Sequence, residues 1–175
     1  MRKNLAIFLI IVVTFLLQTS FQMILPDAVA VPNLLLILTV SMGFMRGKKS
    51  GMWTGFVTGL IIDLFFGSYF GLNALLFMYI GYVNGFLYKI VFDDDARVPM
   101  ITVFISDFIY NSVLFAVNRL TGGHISIGSA LTGIILPEAV ITMVVTIVFY
   151  NVYFWLNKKI TAMELEEEQS PWLRR

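Results

Sequence analysis

From Leu5 to Leu25 the chain runs for 21 residues without a charged side chain. A bilayer's hydrocarbon takes about 20 apolar helical residues to cross, so this run has the length of one span. Met1-Arg2-Lys3-Asn4 before it and Ala28-Val29-Ala30 after it have the outline of a signal peptide and cleavage site. A signal's apolar core, however, is only about 7–15 residues long. The segment therefore reads as an uncleaved first span, ended by Pro26-Asp27.

The pattern then repeats. Pro32-Asn33 marks the next helix start, and a short second span covers Ala30 to Met45 before Arg46, Lys48 and Lys49 force a turn in water. A short third span, Gly51 to Phe66, is followed by the uncharged turn Gly67-Ser68-Tyr69 and a fourth span from Phe70 to Ile90. Asp93-Asp94-Asp95 reads as a solvated turn before a fifth span, Val98 to Val117. Pro137 suits a helix's first turn, which places the sixth span at Glu138 to Asn157 and leaves Ile125 to Leu136 at the outer surface or re-entering it. The expectation is an all-α integral membrane protein, a six-helix transmembrane bundle over residues 1–160 with a polar tail over 161–175. In that tail the acidic Glu164 to Glu168 run reads as solvated.

Charge placement orients this plan. Eleven of the twelve Lys and Arg fall on one side of a six-span layout and only Arg119 on the other. Cytoplasmic loops carry the excess of basic residues, so both termini are expected in the cytoplasm. Trp53 and Trp155 then sit near the cytoplasmic ends of spans three and six, where interfacial indoles gather. Composition agrees: the chain is 58% hydrophobic and 13% charged, against about half and one quarter in soluble domains. A net charge of +1 offers nothing for nucleic acid. There is no cysteine and one histidine, His124, which leaves no basis for a thiolate or His-rich metal centre.

The polar and small residues within the spans are the candidate sites. Gly51, Gly55, Gly59 and Asp63 recur every fourth residue and continue to Gly67 and Gly71. Small residues at this spacing let another helix approach closely, so the face reads either as internal packing or as a partner's docking face. An intramembrane carboxylate costs about 2.5–3.5 kcal/mol on insertion scales. Asp63 is accordingly a hydrogen-bond hub, a partner contact, or an acid snorkelling to the outer interface. Asp107 lies deeper, with Asn111 one turn on; the two read as a proton relay or as a buried polar pair joined to Asn73 or Asn84. Glu138 belongs at the outer interface, where a helix N-terminus favours an acid. The chain lacks the Gly-x-Gly-Asp sequence of intramembrane aspartyl proteases, and it lacks Gly-x-Ser-x-Gly. No catalytic residue and no cofactor is expected.

Pro32-Asn33-Leu34-Leu35-Leu36, followed by Gly55-Phe56-Val57-Thr58-Gly59-Leu60-Ile61-Ile62-Asp63-Leu64-Phe65-Phe66-Gly67-Ser68-Tyr69-Phe70-Gly71 and by Leu136-Pro137, resembles the rod shape-determining protein MreD family. The resemblance implies a non-catalytic scaffold of the bacterial cell-wall elongation complex in the inner (plasma) membrane. It also implies that such a protein binds the bitopic protein MreC, lies beside RodA and its transpeptidase partner, and contacts membrane lipid. A fold similar to the substrate-binding subunits of energy-coupling-factor transporters is implied too, which keeps a small-molecule transporter subunit as the alternative. Against that alternative, span one lacks the Ala-x-x-x-Ala contact motif those subunits show. The family's Asp maps to Asp63 and its glycines to Gly55, Gly59, Gly67 and Gly71.

Overall fold

The computed structural model describes residues 2–24, 30–67, 69–89, 97–122 and 126–169, and within these every regular element is helical. In order they are α1 (Arg2–Ile24), α2 (Leu34–Arg46), α3 (Lys48–Phe65), α4 (Leu72–Asn84) with a 3-10 turn (Gly85–Lys89), α5 (Arg97–Leu120), α6 (Ile127–Ala130) and α7 (Leu136–Gln169). A π-helical stretch, Leu131–Ile135, joins the last two. The aspartate turn at 93–95, His124 and the chain beyond 169 lie outside the described residues.

Apolar side chains occupy the exterior as well as the core, unlike in a soluble bundle. Large apolar side chains point outward at steps of four: Ile101, Ile105 and Ile109 on α5, and Val140, Val144, Val148 and Val152 on α7. Several threonines point inward, among them Thr14, Thr39, Thr58, Thr142 and Thr146, all buried. A water-facing surface rarely tolerates continuous apolar patches of this kind, whereas lipid tails cover them at no cost. Three helical stretches are long and apolar enough to cross a bilayer: Leu5–Ile24, Arg97–Leu120 and Ile127–Leu165.

The short helix α2 is interior, whereas α4, equally short, keeps Leu75, Tyr79, Tyr82 and Val83 exposed. α2 has 13 residues, about 20 Å at 1.5 Å per residue, less than the ~30 Å of hydrocarbon. It is apolar on all sides, as an enclosed helix must be, and everything from Leu34 to Phe44 is buried. Phe77, Val103, Tyr110 and Tyr153 close around it from α4, α5 and α7. Asn33 caps it by accepting from the Leu36 N–H at 3.2 Å. Gly47, at φ 81°, supplies the left-handed turn that a side chain would resist, and α3 begins at the next residue.

The end of the bundle departs from the sequence expectation. Helix begins at Ile127, not after Pro137, and runs without interruption to Gln169. Residues 127–136 are therefore the first turns of the last helix, not a separate surface segment. Pro137 cannot donate to the carbonyl four residues back, and its ring crowds that carbonyl. The widened π turn immediately before it, in which the Leu136 N–H reaches back to the Leu131 carbonyl, supplies the room.

Candidate functional site

The candidate residues occupy two connected regions of the bundle interior. The first is the seam between α3 and α4. Gly51, Gly55 and Gly59 lie on the buried face of α3. A Cβ at Gly51 would strike the Gly81 carbonyl, one at Gly55 the Phe77 carbonyl, and one at Gly59 the backbone of Asn73 and Ala74. The two helices thus touch backbone to backbone along three turns. Gly43 of α2 and Gly85 join the same junction, against Gly81 and Lys48 respectively. The glycine face is filled from within the chain.

Asp63 closes the seam. It is 4% exposed, which excludes snorkelling. One oxygen accepts from the Asn73 N–H (3.1 Å) and the Asn73 Nδ2 (2.9 Å), and the other from the N–H groups of Gly71 (3.0 Å) and Ala74 (2.9 Å). Three of the four are backbone N–H groups at the α4 N-terminus, which an acid suits both as cap and as countercharge to the helix dipole. A single carboxylate at the end of α3 therefore starts α4. Gly71, at φ 93°, turns the chain so that its own N–H faces Asp63. Gly67 lets the turn fold back on the Asp63 backbone, where a Cβ would collide.

The second region begins at Asn73, whose Oδ1 accepts from the Tyr110 hydroxyl at 2.8 Å. Tyr110 stands edge-on to Phe77 with centroids 5.1 Å apart. One turn before it on α5, Asp107 is fully buried and accepts from Asn33 Nδ2 at 3.3 Å. Asn33's N–H donates to Thr142 of α7 at 3.1 Å, and Gln18 of α1 accepts from the Leu34 N–H at 2.6 Å. The start of α2 is thus tied to α1, α5 and α7 at once. The expected link from Asp107 to Asn73 or Asn84 is not made. Asn73 serves Asp63 and Tyr110, and Asn84 donates to Ser106 at 3.0 Å.

Asn111 and Glu138 line a cavity of about 380 Å³ together with Gln18, Gln22, Asn33 and Tyr110. Glu138 is half-buried there. Among the described residues no three acids or histidines converge to hold a metal ion, and no hydrogen bond joins Asp63 to Asp107. The two carboxylates have separate donor sets and do not form an acid dyad that shares a proton.

At the opposite end of the bundle, Arg46 donates from Nε to Asn157 at 2.6 Å and from Nη1 to Glu164 at 3.1 Å. Glu164 was expected in solvent; it instead pairs with Arg46 because α7 continues past the membrane-length stretch.

Sequence reasoning missed Asn33 as a partner of Asp107 and missed the α4 half of the seam. The signal for the latter was present, since Phe77, Gly81 and Gly85 recur at steps of four. The model of the family described as rod shape-determining protein MreD matches residues 1–160 of the chain. No curated protein and no solved structure matches it.

Proposed function

The chain belongs to the rod shape-determining protein MreD family, and from that premise we propose that it is a non-catalytic membrane scaffold of the bacterial cell-wall elongation complex. In this reading it binds MreC and lies beside RodA and its transpeptidase partner, helping to maintain rod shape during peptidoglycan synthesis. Its site is the inner membrane, with both termini in the cytoplasm. The segregation of basic residues along the sequence supports that orientation. The fold likeness to energy-coupling-factor binding subunits rests on the resemblance alone.

One observation carries the reading. Asp63, the acid to which the family resemblance points, has its two oxygens occupied by four donors that hold α3 to α4. An acid with both oxygens so engaged does structural work, joining α3 to α4. The partner surface is then sought on the lipid-facing sides of the bundle, since the glycine face is already covered by α4.

Co-purification with MreC from mild detergent tests the proposal. A stable complex that survives size-exclusion chromatography is expected. Two well-folded proteins that elute separately would overturn it.

A further inference from the structure

The basic end of the bundle holds a second cavity that the scaffold reading does not use. It is an open groove of about 760 Å³ between α1, α3 and α7, within the range of small-molecule sites, about 300–1,000 Å³. Its two halves differ in chemistry. Ile7, Phe8 and Ile11 of α1 and Val57 of α3 form an apolar wall, while Arg46, Lys49 and Ser50 line the polar end. Trp53 and Tyr88, exposed at 62% and 42%, flank the opening as aromatic residues do at a membrane–water boundary.

Arg46 is the unusual member. Its side chain is 9% exposed, and although Nε and Nη1 are occupied, Nη2 is buried without a hydrogen-bond partner. A guanidinium nitrogen left unpaired out of water is costly. Lys49, one helical turn from Trp53, is exposed and adds a second cation. Glu164, the acid in the groove, is already paired with Arg46 Nη1, so the local excess charge is positive.

We propose that this groove binds a phosphate-bearing anionic membrane lipid, with the headgroup between Arg46 and Lys49 and an acyl chain along Ile7, Phe8 and Ile11. Charge complementarity selects the headgroup, and the continuity of the wall with the lipid-facing side of α1 (Leu5, Phe8 and Leu9 are all more than half exposed) gives the chain its path. A phosphate oxygen accepts from Arg46 Nη2 and from the Lys49 ammonium, supplying the partner that the protein lacks. The inference stands independently of MreC binding.

Trp53 provides the readout. The full-length protein, with Trp155 and Trp172 replaced by phenylalanine, is reconstituted in nanodiscs containing increasing fractions of phosphatidylglycerol or phosphatidylcholine with the same brominated acyl chains. Bromine quenches a neighbouring indole. Half-maximal quenching is expected at about ten-fold lower mole fraction for phosphatidylglycerol, the factor that one charge-assisted hydrogen bond supplies. Lys49→Gln, at an exposed position that leaves the fold intact, and Arg46→Lys, which keeps the Glu164 pair but lacks Nη2, are each expected to shrink that preference towards one. Inorganic phosphate is expected not to relieve quenching. Equal quenching by the two lipids, or a preference untouched by both substitutions, would overturn the proposal as general surface attraction. Absence of quenching by either lipid would overturn it in favour of a protein segment in the groove, and relief by inorganic phosphate in favour of a free-anion site.

Discussion

Gly51 and Gly81 face each other across the α3–α4 seam so closely that a Cβ on either would overlap the other's carbonyl oxygen. The approach allows extensive van der Waals contact between two short helices that have no hydrophobic effect to drive them together within lipid. Substitution here overpacks rigid backbone, which costs about 1–3 kcal/mol and more for large side chains. Gly51→Ala, Gly81→Ala and Gly59→Leu are expected to lower the thermal unfolding temperature in detergent, Gly59→Leu the most. Gly128→Ala, where a Cβ meets nothing within 4 Å, is expected to be neutral. Gly51 and Gly81 share one contact, so their double substitution should cost less than the sum of the singles.

The start of α2 supplies a second prediction. Asn33 caps the helix, donates to Asp107 and ties its own N–H to Thr142. Asn33→Ala removes the cap and strands a buried carboxylate. A loss of about 2–4 kcal/mol is expected, summing a cap at about 1 and an unsatisfied buried acceptor at about 1–3. Equilibrium unfolding in a denaturing detergent would show it. Asn33→Asp should be at least as damaging, because it sets a second acid against Asp107.

How far these features could be read from sequence differs by element. The lipid-exposed helices were legible because a long uncharged run admits few alternatives. Asp63 and its glycines were legible as a face, because spacing of four on one helix is local information. What covered that face was not, although Phe77, Gly81 and Gly85 carried the matching period. The partner of Asp107 was invisible for a different reason. Asn33 lies 74 residues away, and nothing in local spacing selects it over Asn73 or Asn84. Pro137 misled because it begins helices far more often than it sits inside them, and the π turn that accommodates it leaves no sequence mark. Glu164 looked solvated only because α7 was expected to fray sooner.

The link between the two interior regions is testable at Tyr110. Its hydroxyl donates to Asn73 while its ring packs on Phe77. Tyr110→Phe keeps the ring and removes the donor, so a cost of about 0.5–1.5 kcal/mol is expected. Tyr110→Leu loses both and should cost more. If Tyr110→Phe weakened MreC capture without any change in unfolding temperature, the hydroxyl would be a partner contact.

The central claim is that Asp63 works by building the fold. Asp63→Ala leaves four donors at the α4 N-terminus without their acceptor, and at about 1–3 kcal/mol for each stranded buried group the loss should exceed about 3 kcal/mol. Thermal unfolding and MreC capture, measured on the same detergent preparation of Asp63→Ala, test this most directly. A large fall in unfolding temperature is expected, with capture reduced only in proportion to the folded fraction. A variant that unfolds at the native temperature yet no longer captures MreC would contradict the account and make Asp63 a contact for the partner.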